Sequence, residues 1–168
     1  MKSFIKYIFI TLITLVNVIM TEAKTTGYIH KPLAAEGCQM EYNVTKKGDD
    51  YYIIVTATSD RLYFLENPEM KIRTFENEVI SLKGEVEGNN RGSSAGYIIG
   101  NTVISSTEIK SSALFQLTPE QFIVLSHGIA KIRLSMRPMN HEKEFRKDKI
   151  GHDLYQLYLN AKKKDEEF

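Results

Sequence analysis

From Met40 onward, apolar residues return at every second position in one short segment after another, and each segment is soon stopped by turn chemistry. Met40, Tyr42 and Val44 alternate with Glu41, Asn43 and Thr45, the period of a strand with one buried face. Lys46-Lys47-Gly48-Asp49-Asp50 then turns the chain, and Tyr51 to Ala57 is apolar on both faces, so the pair reads as a hairpin whose second strand is central. Further strands are expected at Leu62 to Leu65, at the segment carrying Met70, Ile72 and Phe75, and at the segment carrying Ile80, Leu82 and Val86. Glu66-Asn67-Pro68-Glu69 and Glu76-Asn77-Glu78 separate them. Gly88 to Gly96 reads as a polar loop, after which Tyr97 to Ile104 resumes an apolar run. Regular short strands divided by turns favour an antiparallel β-sheet or β-sandwich.

Two helices interrupt this pattern. After a strand at Ala113 to Leu117, Thr118-Pro119-Glu120-Gln121 supplies an N-cap threonine, a proline at the first helical position and a glutamine three residues on, which is a capping box. Leu117 and Phe122 stand where a hydrophobic staple would, and Gly128 falls where a left-handed residue ends a helix. Ala130, Ile132, Leu134 and Met136 then alternate with Lys131, Arg133, Ser135 and Arg137, a strand with one wet, basic face that stops at Pro138. At the end of the chain Ile150, Leu154, Leu157, Tyr158 and Ala161 form one stripe of an amphipathic helix, with Gly151 weakening its first turn. The fold class expected is α+β: mainly antiparallel sheet or sandwich, a short capped helix between two late strands, and a C-terminal amphipathic helix.

The amino terminus carries a different signal. Lys2 and Lys6 precede an apolar run from Tyr7 to Met20, and Thr21-Glu22-Ala23 offers small residues at the positions a signal peptidase reads, the pattern of a secretory leader. The run falls short of the ~20 residues that span a bilayer as a helix. Residues 1–23 are therefore expected to be a signal peptide, 24–38 a flexible lead-in containing Gly27, Pro32 and Gly37, and 39–168 a single β-rich domain. The expected location is periplasmic or extracellular, soluble once the leader is removed and without stable membrane insertion.

Charge and cysteine usage narrow the classes of partner. The chain has 22 basic and 21 acidic residues, and without Lys2, Lys6 and Glu22 there are 20 of each, so the remaining chain is formally neutral. Nucleic-acid binding draws on clustered Lys and Arg that neutralise phosphate. The densest run, Lys162-Lys163-Lys164, is followed at once by Asp165-Glu166-Glu167 and suits the C-terminal dipole of a helix, so nucleic acid is excluded as a partner class. The lone Cys38 permits no intramolecular disulfide and lies too far behind the apolar run for lipid attachment at a cleavage site; it reads as a partly buried or capped thiol, with intermolecular pairing as the alternative.

The exported leader, the Tyr51-Tyr52-Ile53-Ile54-Val55 strand, the Phe115 to Gln121 strand-into-helix step, the Ile129 to Leu134 strand and the Asp148-Lys149-Ile150-Gly151 helix start together resemble short exported proteins of Bacteroidetes bacteria. That resemblance implies a compartment and a β-rich domain. It carries over no functional residues.

Catalytic patterns are sparse. Gly92-Ser93-Ser94-Ala95-Gly96 satisfies G-x-S-x-G and nominates Ser94 as a nucleophile, with His127, His141 or His152 as the base, but the motif needs a strand before it and a helix after it, and a strand-like run follows instead. His141-Glu142 begins like the zinc helix H-E-x-x-H, yet Phe145 stands where the second histidine belongs. His30, His127, His141 and His152 show no ligand spacing, and His127 in a last helical turn suits the dipole. Glu76 with Glu78 and Glu85 with Glu87 share a face at i, i+2 and read as a solvated edge or turn. The Gly88 to Gly96 segment lacks the Gly-Lys-Ser/Thr ending of a phosphate loop. Tyr51, Tyr52, Tyr63 and Tyr97 offer faces for a sugar, without any tryptophan. No metal and no cofactor are expected. The reading is a non-enzymatic binding or interaction domain for a protein or glycan. Its alternatives are an esterase-like serine hydrolase using Ser94, and a structural or assembly component of the cell envelope whose partner covers the C-terminal helix or the Lys131, Arg133 and Arg137 face.

Overall fold

A computed structural model describes residues 25–30, 38–59, 63–99 and 102–166; the expected leader, residues 1–23, lies outside the described residues. In chain order the elements are β1 (Thr26–His30), β2 (Cys38–Lys47), β3 (Asp50–Ser59), β4 (Glu69–Thr74), β5 (Val79–Ile99), β6 (Thr102–Leu117), α1 (Pro119–Leu125), β7 (Ile129–Leu134), β8 (His141–Glu144) and α2 (Gly151–Glu166). The strands form one antiparallel sheet in the order β1-β2-β3-β6-β5-β4-β7-β8. The α+β class read from the sequence is the class observed, built from a single sheet and not from two packed ones.

Period-two alternation explains which face is buried. Met40 and Tyr42 of β2, Ile53, Val55 and Ala57 of β3, Met70 and Ile72 of β4, and Ile132 and Leu134 of β7 all point into one apolar cluster, with Phe115 of β6 near its middle. A flat sheet would leave that face half wet. Here the sheet curls into a half-barrel, and its first and last strands meet: Tyr28 of β1 lies edge-on to Phe145 with ring centroids 5.2 Å apart, and its hydroxyl is 2.5 Å from Nε2 of His141 in β8. Gly84 makes room for the curl, since a Cβ there would sit 2.6 Å from the Phe115 ring.

The helices cover one side of the cluster. The capping box forms as the sequence predicts: Gln121 N donates to Thr118 Oγ1, and Thr118 N donates to Gln121 Oε1. Phe122 of α1 stacks on Tyr158 of α2 at 4.4 Å, and Tyr51 of β3 meets Tyr158 edge-on at 4.9 Å. Gly128 takes the left-handed conformation, φ +79°, expected of a residue that ends a helix.

The junction between α1, β7 and α2 is tightly packed. Gly151 opens α2 against the backbone that leaves α1, where a Cβ would lie 2.7 Å from the Leu125 carbonyl oxygen and 2.8 Å from Ile129 N. The glycine that weakens the helix by propensity is what lets the helix dock. Beside it the Asp148 carboxylate accepts from Ile129 N, Ile150 N, Gly151 N and His152 N, joining the start of β7 to the start of α2. Partial burial raises the proton affinity of this carboxyl, but the four backbone donors outweigh it and hold the group below the usual carboxylate range.

Four expectations need correction. Residues 24–38 are not uniformly a lead-in, because Thr26–His30 pairs with β2; Thr26 Oγ1 also donates to an Asp153 carboxylate oxygen of α2 at 3.3 Å, so a short polar segment is fixed by partners far along the chain. Gly88 to Gly96 is no loop: β5 runs through it, paired with β6, after a register shift between Glu87 and Arg91 beside Gly88 at φ +72°. Around Leu62 to Leu65 only an isolated bridge between Phe64 and Arg137 forms, although Tyr63 and Leu65 are buried; Leu62 itself lies outside the described residues. Phe75 falls in the turn after β4 and is exposed.

Two outcomes follow from the junction. Replacing Gly151 with alanine lowers stability by ~1–3 kcal/mol in urea or thermal unfolding, because backbone overlap outweighs the ~1 kcal/mol that alanine gains in helix propensity. Asp148→Asn costs ~1 kcal/mol near neutral pH. Since the folded carboxyl binds its proton less readily than the unfolded one, this contribution is complete above the ordinary aspartate range and is lost as pH falls through the lowered value. The unfolding curves of wild type and Asp148→Asn therefore converge in acid.

Candidate functional site

The buried polar members of the cluster bond to one another. Tyr42 and Tyr28 hydroxyls lie 3.2 Å apart, Tyr28 reaches His141, and the His141 side chain is 1% exposed. Burial pushes both phenols well above the ordinary tyrosine value, so they remain protonated. This chain of polar groups joins β1 and β2 to β8 inside the curl, and Cys38 is buried beside it.

The candidate catalytic serine has no such setting. Ser94 lies within β5 opposite Thr107, and the strand continues to Ile99, so the backbone lacks the strand-to-helix turn that exposes a nucleophile in a G-x-S-x-G site. The three histidines considered as its base are placed elsewhere: His127 faces Glu76 and Glu78, His141 bonds Tyr28, and His152 is exposed in the first turn of α2. Of the four tyrosines with possible sugar-stacking faces, Tyr51 packs on Phe122 and Tyr158, Tyr63 is buried, Tyr52 is half-buried on β3, and Tyr97 pairs with Ile104 along the β5–β6 ribbon.

The outer face of β4, β7 and β8 is more distinctive. Register places Lys71 opposite Arg133 and Arg73 opposite Lys131, so two pairs of like charges stand side by side on the two strands next to the β8 edge of the sheet. Like charges directly across a ladder destabilise a sheet. Partial relief comes from β8, where Glu142 lies opposite Arg133 and Glu144 opposite Lys131. Lys131 Nζ contacts Glu142 at 2.5 Å and Glu144 at 2.9 Å, Arg133 contacts Glu142 at 3.1 Å, and Arg73 reaches Glu144 at 3.9 Å. Hydrogen bonds from these carboxylates hold the Lys131 ammonium above its usual proton affinity, and the Lys131 bond holds Glu142 below the usual carboxylate value.

Three of the four cations thus share two carboxylates, and among the described residues Lys71 has no carboxylate in ion-pair range. The four cations and Glu142 line a shallow groove of about 350 Å³ together with Ile72 and Val79, and Val79 is 64% exposed. Alternation identified Lys131 and Arg133 as a wet, basic face. The third member of that expected face, Arg137, pairs instead with Glu66 beyond the end of β7. Lys71 and Arg73 join through strand pairing, which the sequence does not spell out.

No protein-family model, curated protein or solved structure matches this chain. The stripe on the C-terminal helix, considered as a partner surface, is spent within the molecule: Ile150, Leu154 and Tyr158 belong to the core cluster. Among the described residues no helix is long and apolar enough to cross a membrane.

A second polar constellation lies at the turn between β4 and β5. Glu76 and Glu78 each place Oε2 3.1 Å from Nδ1 of His127, just past α1. The turn is fixed by Thr74 N donating to Glu78 O, Glu78 N donating to Thr74 Oγ1, and Asn77 at φ 65°. Phe75 N donates to the Gly128 carbonyl, tying the turn to the residue after His127. The sequence places the two glutamates on one turn but gives no sign of a histidine 49 positions away.

Proposed function

We propose that this protein is an exported, non-enzymatic interaction domain that binds an acidic segment of a partner protein on the outer face of β4, β7 and β8. The observation carrying this reading is the pairing of Lys71 with Arg133 and Arg73 with Lys131, four cations opposed by only two carboxylates of their own. A sheet selected for stability alone would alternate charge across these rungs. Additional carboxylates from a partner relieve the repulsion, and the exposed Val79 beside the groove gives such a segment an apolar anchor. Glu142 and Glu144 already display the contact a ligand carboxylate would make.

Export rests on the leader sequence, and the resemblance to short exported proteins of Bacteroidetes bacteria agrees with it. Mass spectrometry of the protein recovered from its host is expected to find a mature chain beginning at Lys24; a chain retaining Lys2 and Lys6 would replace release with a membrane tether. Binding is tested with a fluorescent Glu/Asp-rich peptide containing one central leucine. Wild type is expected to bind it with an affinity that falls as salt rises, and Lys71→Glu with Arg133→Glu is expected to weaken binding at least tenfold while the unfolding midpoint changes little. Equal binding by the double variant, or binding of a sulfated glycan but not of the peptide, overturns the acidic-protein reading.

A further inference from the structure

We propose that Glu76, Glu78 and His127 form a binding site for one divalent transition-metal ion of borderline softness, of the Zn²⁺ class. The site is independent of acidic-partner binding. It is centred on an imidazole nitrogen, with Nδ1 of His127 at 3.1 Å from an oxygen of each glutamate and all three ligand atoms within 4.8 Å of one another.

A simple ion pair accounts poorly for this convergence. Nδ1 carries at most one hydrogen, which lies in line with one acceptor at a time; Glu78 has hydrogen-bond geometry to it, whereas Glu76 is held at the same distance as a second carboxylate. Among the described residues neither glutamate has a Lys or Arg in ion-pair range. Two carboxylates converging on one nitrogen gain from a positive charge placed between them. A divalent cation supplies that charge.

The spacing fits. Metal–nitrogen bonds of ~2.0–2.1 Å and metal–oxygen bonds of ~2.0–2.2 Å, opened by angles between octahedral and tetrahedral, separate neighbouring ligand atoms by ~3.0–3.4 Å. The two nitrogen–oxygen separations here, 3.1 Å each, fall in that interval. One imidazole and two carboxylates leave at least one coordination position for water, and the nitrogen donor favours Zn²⁺ and its neighbours over Ca²⁺, which takes six or more oxygens. Both supports of the site are fastened to each other through the Phe75 N to Gly128 O bond, so the ligands do not have to be gathered from a loose loop.

The test titrates the folded mature chain with Zn²⁺ by calorimetry and with Co²⁺ by visible absorption, alongside His127→Ala, the double variant Glu76→Gln with Glu78→Gln, and His152→Ala as an exposed-histidine control. One ion per chain is expected, with affinity lowered at least tenfold in the first two variants, unchanged in the control, and Ca²⁺ failing to compete. Circular dichroism confirms that the variants are folded, and the His127 ring resonances in the wild-type NMR spectrum are expected to shift on adding Zn²⁺. The site is overturned if no ion binds, if binding survives His127→Ala, if it disappears in His152→Ala, or if Ca²⁺ displaces Zn²⁺.

Discussion

A sheet buries one face only when something covers it, and two short helices are too few to cover eight strands. The remainder of the covering comes from the sheet itself, through the curl that brings β1 against β8. The inward side chains of β2, β3, β4 and β7 draw part of their dry surroundings from that closure and part from the helices. The closure is made by side chains, with Tyr28 using its ring against Phe145 and its hydroxyl against His141 and Tyr42. An aromatic with a polar tip suits a seam of this kind, since the ring contributes apolar area while the hydroxyl bonds Nε2 of the buried imidazole.

The second support is the junction held by Asp148. One carboxylate there serves four amides drawn from the beginnings of β7 and α2; Gly151 allows the backbones to approach, and Gly128 leaves room for the Asp148 side chain. The same junction sets the position of His127, because Gly128 is both the residue after it and the acceptor for the β4–β5 turn. A stability device and the acid–imidazole cluster therefore share a backbone anchor, while the cationic face lies on strands that run away from it.

Much of the fold is legible in the residues. The β2 and β3 strands follow from strict alternation and from an apolar segment wet on neither side; the capping box at Thr118 and the stripe ending near Ala161 announce the helices. What escapes is whatever depends on distant partners. The β1 strand has no apolar alternation strong enough to distinguish it from a linker, and its pairing with β2 and ties to α2 decide the matter. The Gly- and Ser-rich half of β5 has weak strand propensity and is a strand because β6 pairs with it. The same limit applies to function: Lys131 and Arg133 are visible as a basic row, but their like-charged neighbours in β4 and the meeting of His127 with Glu76 and Glu78 emerge only once register and turn geometry are known.

The strand order has a kinetic corollary. β2 with β3, β4 with β5 and β5 with β6 are joined by neighbours in sequence, whereas β3 with β6 pairs Tyr51 with Leu117 and β4 with β7 pairs Met70 with Leu134. Local hairpins form on the microsecond scale, but pairings this remote must first overcome the entropy of closing a long loop. On topology alone, closing the two remote seams is the slow part of folding. Until then the chain consists of hairpins with unpaired edges, so crowding of nascent or refolding molecules is most hazardous in that interval.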